Sequence, residues 1–449
     1  MTEAPAPKTS RLAALRSALE QGSMRHGQRM INSMHPAEIA SLIESLPPAK
    51  REIVWEFVDP EIEGDVLIEL NEEVRAELIG GMDAEELIAA TEGMEVDDLA
   101  DLIGDLPETL NQRVLRSMDA QDRERLSAVL GFEEDSAGGL MNLDAVTVRP
   151  DVTLEVVMRY MRMRGELPER TDRLFVVNRH DKYLGGLDIT RLLTEDPERT
   201  VGELMASLEG IAPETPAREV AKLFEDRDLV SAPVVSLDGK LLGRITVDDV
   251  VDVIREEADH SVMSMAGLHE DEDLFAGVRT TVRRRVIWLA INLATAVFAA
   301  NVVGLFEATI EKVVALAVLM PIVASMGGIA GSQTLVLIIR GLALGQVETA
   351  NARWLLAREI MVGLLNGVLL AGLVGIAAGF WFHKWTLGLI IFSALMINLF
   401  AAAMAGVGVP LILRKMGIDP ALAGSVVLTT VTDTVGFASL LGLGALFLT

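Results

Sequence analysis

Apolar and polar positions alternate with three different periods along this chain. From residue 286 onward the apolar positions run together. Five stretches are long enough to cross a bilayer: Val286–Phe306, Val313–Ile338, Ile360–Phe382, Trp385–Leu413 and Ala421–Phe447. Near the N-terminus the pattern instead repeats every 12 residues, with fragments such as "MHPAEIA" at 34, "LPPAKRE" at 46, "LNEEVRA" at 70 and "MDAEELI" at 82, and on to "MDAQDRE" at 118. Each opens on an apolar residue, follows it with a turn-forming position and usually an acidic first turn. That is helix-start chemistry and predicts about eight short stacked helices, an α-solenoid. Between these regions, "DRLFVVNRHDKYLGGLDITRLL" (172–193) and "SAPVVSLDGKLLGRITVDDVVDVI" (231–254) share a third pattern. It comprises a β-run, a turn with Asp, Leu-Gly, a second short strand and an amphipathic helix, and predicts two α/β repeats of about 60 residues.

Charge divides the chain at the same place. Residues 286–449 hold six acidic residues (Glu307, Glu311, Glu348, Glu359, Asp419, Asp433) and seven basic ones, leaving 59 acidic and 32 basic residues in 1–285. An acidic module is therefore joined to a nearly neutral membrane module. The acidic excess argues against nucleic acid as a partner and suits cations, although an acidic surface also serves solubility alone. No cysteine is present, so disulfides and thiolate metal sites are excluded. The first 22 residues lack the apolar core of a signal peptide. Basic residues flanking the spans fall nine to two on the side of the N-terminal module, which predicts that module in the cytoplasm and the C-terminus outside.

Two spans carry candidate chemistry. The second contains Pro321, Gly327, Gly328 and Gly331, followed by Ser332-Gln333-Thr334. It reads either as a helix broken at membrane depth along a polar path or as a small-residue helix contact. The fifth contains Asp433, the only acidic residue well inside any span, with Thr429 and Thr430 four and three residues before it on one helical face and Gly436 three after. These hard oxygen donors suit magnesium or calcium. The bland alternative is a protonated Asp bonded to another helix. A two-fold dimer would bring two such carboxylates together. In the solenoid, Asp97 and Asp101 are four apart and present two carboxylates on one face.

The paired α/β repeats resemble a tandem CBS pair, a module that commonly binds adenine nucleotides, ATP among them. The order of solenoid, CBS pair, connector and five spans resembles the MgtE family of magnesium channels. The motifs carrying this are "EDSAGGLMNLDAV" (134–146), "ITVDDVVDVIREEA" (245–258), "LFEATIEKVVALAVLMPIVASMGGIAGSQ" (305–333) and "IDPALAGSVVLTTVTDTVGF" (418–437). The resemblance implies a homodimer in the bacterial inner membrane, with a pore lined by spans 2 and 5 at Asp433, Thr429 and Thr430. It also implies closure by cytosolic magnesium bound between solenoid, CBS pair and a connecting plug helix. Matching sensing carboxylates are Asp228, Asp249 and Asp252 in the second CBS repeat, Glu257 and Asp259 at the connector, Asp419 before span 5, and Asp97 and Asp101 in the solenoid. The implied divisions are a tail or helix at 1–33, solenoid 34–133, CBS repeats 134–200 and 201–258, a plug helix 259–285 and a pore domain 286–449. The sequence departs from the family pattern at Ile329, where an amide is usual, at Ser425-Val426, where no Pro precedes the Thr pair, and at His260-Ser261, which replace two acids.

Facing carboxylates repel, so divalent ions would favour a compact closed state of the acidic module. Other readings of the same residues are a sodium- or proton-coupled divalent-cation carrier, a channel less strict among magnesium, cobalt and manganese, and a membrane-bound sensor that does not transport. No nucleophile pair, Walker loop or zinc-ligand cluster suggests an enzyme.

Overall fold

A computed structural model describes residues 24–448 apart from Gly93, Asp105, Glu270, Asp271, Glu348 and Thr349. The first 23 residues, most of the expected N-terminal tail or helix, lie outside the described residues. The chain forms two compact units: Met1–Ala258 with Asp271–Ala276, and Asp259–Glu270 with Gly277–Thr449.

The N-terminal unit begins with α1 (Met24–Ile31) and then the eight solenoid helices. These are α2 (Pro36–Glu44), α3 (Pro48–Trp55), α4 (Glu63–Ile68), α5 (Glu72–Gly81), α6 (Ala84–Thr91), α7 (Val96–Gly104), α8 (Glu108–Ser117) and α9 (Ala120–Val129). All but α4 start two residues after the apolar residue that opens each 12-residue repeat. In α4 the Asp59-Pro60 turn delays the start to Glu63. The caps explain the phase. Asp83 accepts from the backbone N–H groups of Glu85 and Glu86 while Glu86 accepts from Asp83 N–H, a reciprocal box. Asn71 caps α5 through Val74 N–H at 3.0 Å. Helices too short to stand alone stack mostly on the next but one, α2 on α4 and α4 on α6, α3 on α5, α6 on α8 and α7 on α9. Their apolar faces merge into one core with Met141, Phe224, Val234 and Ile245 of the following module.

That module contains two α/β repeats. The first has β1 (Thr147–Val148), α10 (Leu154–Arg164), β2 (Arg173–Val177), β3 (Tyr183–Asp188) and two short helices, α11 (Ile189–Thr194) and α12 (Val201–Leu204). The second has α13 (Ala217–Arg227), β4 (Ser231–Val235), β5 (Leu241–Thr246) and α14 (Val247–Met265). β2 pairs antiparallel with β3, and β4 with β5. Each ladder shifts register at the same place, Val176/Val177 and Val234/Val235. β1 runs parallel to β2, and in the second repeat Ile211 makes one parallel bridge to Val234. The duplication is therefore structural, down to the bulge.

The sequence pattern predicts an unbroken connecting helix to Arg285. Instead α14 ends at Met265, the backbone turns at Gly267 with φ 71°, and α15 (Val278–Gly304) starts afresh. A side chain at Gly267 would collide with the Trp288 ring, so the turn and the first span pack together. Within the intervening segment, Asp271–Ala276 belongs to the N-terminal unit, where a buried Arg51 holds Asp273. Arg51 Nε donates to Leu46 O at 2.9 Å, Nη1 to Glu77 and Nη2 to Asp273, both at 2.8 Å. Asp273 N–H in turn donates to Glu73 at 2.9 Å. Arg51 is fully buried, and those carboxylates compensate its charge.

The membrane unit has five helices long and apolar enough to span a bilayer: α15, α17 (Ala315–Ala343), α18 (Ala352–Trp381), α19 (Trp385–Lys415) and α20 (Pro420–Leu448). The short α16 (Glu307–Lys312) lies between the first two. α17 is not broken. It runs through Pro321 as one helix, and its glycines serve as contact points: Gly331 receives the Leu428 side chain and Gly327 that of Asn398. α18 and α19 form a hairpin so close that a Cβ on Gly375 or Gly388 would strike the carbonyl oxygen of the other. Trp381 and Trp385 are exposed at its tip.

Candidate functional site

Two groups of carboxylates concentrate the chemistry. In the N-terminal unit they come from the starts of two helices that share one triplet. Val96-Asp97-Asp98 opens α7 and Val247-Asp248-Asp249 opens α14. Asp249 accepts from Thr246 N–H at 3.2 Å and from Thr246 Oγ1 at 3.0 Å, which closes the first turn of α14. The short Thr246 Oγ1 contact to Asp248 adds to this cap. Asp97 is buried and accepts from Asn142 Nδ2 at 3.2 Å, and the same amide contacts Glu95. Arg170, at a left-handed φ of 52°, pairs with Asp248 at 2.7 Å.

The cost of this crowding appears in the protonation equilibria. Burial, then the charges of Asp98 and Glu95, push Asp97 up to about 8. Burial, then Asp249, Glu95, Asp101 and Asp248, push Asp98 up to about 7. Asp101 rises to about 7 through burial and Glu134, against the pull of Arg75. Asp249 rises to about 7 through burial, Asp97 and Asp248. Near neutral pH these groups are held partly protonated unless a cation offsets their charge. Among the described residues no three carboxylates, histidines or cysteines close around one point as a ready-made cage. The all-oxygen donor set fits magnesium, which needs one or two carboxylates and keeps its remaining water.

The other sequence-nominated residues scatter. Asp252 lies one turn after Asp249 on α14 and is exposed; loss of surrounding water raises its carboxyl, Arg255 lowers it and Asp248 raises it. Asp228 caps the end of α13 with left-handed backbone, φ 49°, and is exposed. Arg218 donates to both oxygens of Glu257 along one guanidinium edge, from Nε at 2.8 Å and from Nη2. Asp259 is exposed on α14. Asp419 caps α20 through Ala421 N–H at 2.9 Å and meets His260 Nε2 at 3.2 Å. An imidazole thus touches Asp419 where the family pattern carries an acid.

In the membrane unit, Asp433 stands at the middle of α20, half-buried. One turn earlier, Thr429 and Thr430 donate back to Ser425 O at 2.9 Å and Val426 O at 2.7 Å. Their hydroxyl oxygens keep lone pairs, as ligands for a hydrated cation require. The sequence pattern alone passes over Asp98, Asp248, Glu95 and Asn142; the shared Val-Asp-Asp triplet is the signal that marks the first two. It also passes over Glu359, because α18 begins well before the expected third span. Glu359 is buried, pairs with Arg358 at 2.8 Å and accepts from Thr334 Oγ1 of α17 at 3.3 Å.

A helical solenoid, two α/β repeats rich in carboxylates and a bundle of apolar helices with an acid at its middle define a membrane transport protein of the cation class. Residues 320–443 match the MgtE family, described as a divalent cation transporter; residues 34–135 match the MgtE intracellular N domain, and residues 137–198 and 201–256 match CBS domains. The magnesium transporter MgtE of Thermus thermophilus is 30% identical over 97% of this chain and 98% of its own length. That of Bacillus subtilis is 27% identical over 96% of both chains. A crystal structure of the cytosolic domain of the Mg2+ channel MgtE in complex with ATP is 31% identical, with a TM-score of 0.50, covering 54% of this chain and 99% of that one. The chain belongs to the MgtE family.

Proposed function

We propose that this protein is a magnesium channel of the bacterial inner membrane, working as a homodimer with its N-terminal unit in the cytoplasm and its C-terminus outside. Magnesium passes between α17 and α20 of the two protomers at Asp433, with Thr429 and Thr430 as neighbouring ligands for the hydrated ion. The same ion regulates passage. Residues 34–133 act as the solenoid sensor, 134–200 and 201–258 as the CBS repeats, 259–285 as the plug segment and 286–449 as the pore domain. Magnesium binding at Asp97, Asp101 and Asp249 closes the pore, with Asp228, Asp252, Glu257, Asp259 and Asp419 as further contacts. ATP or another adenine nucleotide is the ligand expected at the CBS pair.

One arrangement carries this reading. Carboxylates from the starts of α7 and α14 lie together, and burial, then one another's charge, raises them toward neutral pH. A compact state built that way is stable only when cations or protons offset the charge, so magnesium concentration sets its population. The deciding experiment is magnesium uptake by a magnesium-auxotrophic bacterium, with protease protection of the N-terminal unit followed over a millimolar magnesium titration. Uptake by the wild type, its loss in Asp433→Ala, and protection that rises with magnesium are expected. Rescue by the mutant removes the pore assignment, and flat protection removes the sensor assignment.

A further inference from the structure

At the middle of the membrane unit, three helices meet on one side chain that is not charged. Asn398 is fully buried near the centre of α19. Its Nδ2 donates to Val323 O of α17 at 2.8 Å. Its Oδ1 is also buried and has no donor. The carboxamide fills the space that two glycines leave open. A Cβ on Gly327 of α17 would lie 2.2 Å from Asn398 Nδ2, and a Cβ on Gly436 of α20 would lie 2.8 Å from it. Those distances forbid any side chain at either position while the amide stays in place.

Gly436 is three residues from Asp433 on α20, less than one turn. The amide therefore sits against the stretch of helix that carries the pore carboxylate. A second tie, Ser439 Oγ to Ala394 O of α19 at 3.5 Å, lies one turn further along both helices. A polar amide inside apolar protein is costly, and a carboxamide oxygen without a donor more so. A leucine would fill such a core at no such cost, although its branched end does not match the flat slot between two glycines.

We propose that Asn398 is a positioning residue for the pore. Keyed between Gly327 and Gly436 and bonded to Val323 O, it fixes the depth and rotation of α20 and so the place of Asp433. This rests on the reading of Asp433 as the pore ligand. Ion preference depends on how far two facing carboxylates stand apart, because magnesium and calcium differ in size and in how readily they shed water. A helix that slips or rotates changes that spacing without losing the charge.

The test is flux of magnesium and of calcium into liposomes holding the full-length protein, for wild type, Asp433→Asn, Asn398→Ala, Gly436→Ala and the double variant Asn398→Ala/Gly436→Ala. Asn398→Ala is expected to purify in wild-type yield and lower the magnesium-over-calcium preference about tenfold. Gly436→Ala is expected to lower magnesium flux by driving a methyl group into the amide, and the double variant to regain much of it because the amide is gone. A variant Asn398→Ala with reduced heat resistance but unchanged ion preference makes Asn398 packing alone and overturns the proposal. So does a double variant no better than Gly436→Ala. Undiminished flux through Asp433→Asn removes the pore reading and this proposal together, whereas lost flux there with unchanged preference in Asn398→Ala removes only the proposal.

Discussion

The carboxylates of α7 and α14 crowd one another, whereas Asp433 stands on α20 with hydroxyls and glycines for company. The contrast suits the two tasks proposed for them. A sensor must change shape when an ion binds, and mutual repulsion among several carboxylates supplies the opposing force. A pore must let the ion leave, so a single carboxylate per chain that leaves the ion its water is enough. Their supports differ in the same way. At the start of α14 Asp249 caps Thr246 N–H, and at the start of α7 Asn142 donates to Asp97, so fixed side-chain bonds hold these acids. Asp433 has no such local frame, and its place is set by how helices pack.

Four substitutions sharpen or break this contrast. The largest effect is expected for Asp433→Asn, which keeps the shape and removes the charge. Loss of about 3 kcal/mol of ion contact lowers magnesium flux roughly a hundredfold. Protease protection of the N-terminal unit should keep its magnesium dependence, and a lost dependence would mean the two regions are one site. Next is Arg51→Ala, which leaves the buried Asp273 without its cation and releases the exposed Glu77. It should destabilise the N-terminal unit by about 3–5 kcal/mol, read by thermal unfolding of the full chain in detergent. A loss below about 1 kcal/mol would show that solvent reaches the pair.

Asp98→Asn tests the repulsion directly. Removing one negative charge that faces Asp249, Glu95, Asp101 and Asp248 should let the protected state form at several-fold lower magnesium, on the scale of about 1 kcal/mol. A midpoint moved to higher magnesium would instead make Asp98 an indispensable ligand. The smallest effect belongs to Asp83→Ala at the start of α6, which removes a reciprocal cap. It should cost about 1 kcal/mol of thermal stability and leave the magnesium midpoint unmoved. A moved midpoint would mean that the solenoid's stability, not its charge, governs the response.

Much of the architecture is legible in the chain. The 12-residue phase of the solenoid is written in local cap and turn chemistry, so the helix starts at Pro36, Pro48, Glu72, Ala84, Val96, Glu108 and Ala120 follow from it. The duplicated Leu-Gly pattern carries the α/β repeats, and span length carries the membrane helices. Asp433 could be picked out as a candidate because a lone acid in an apolar run is conspicuous. Other contacts are not written locally. Arg51 meets Asp273 across 222 residues and Asn398 meets Val323 across 75. Nothing in either neighbourhood names its partner, since an Arg in a helix and an Asn in an apolar run are each ordinary alone. The connector misleads for a related reason. Its composition suits a helix, but the tertiary anchors at Gly267 and Asp273 outweigh that propensity.

The Arg51 clamp has a mechanical side. Asp273 is fixed to the solenoid, and α15 begins at Val278. The chain between them, fully drawn out, reaches roughly 17 Å. That length is the farthest this leash can reach. If the solenoid travels farther than the leash allows, either the first span is dragged with it or the buried ion pair snaps. The bonds of Asp273 to Arg51 and Glu73 therefore set the largest pull this segment can carry into the first membrane helix.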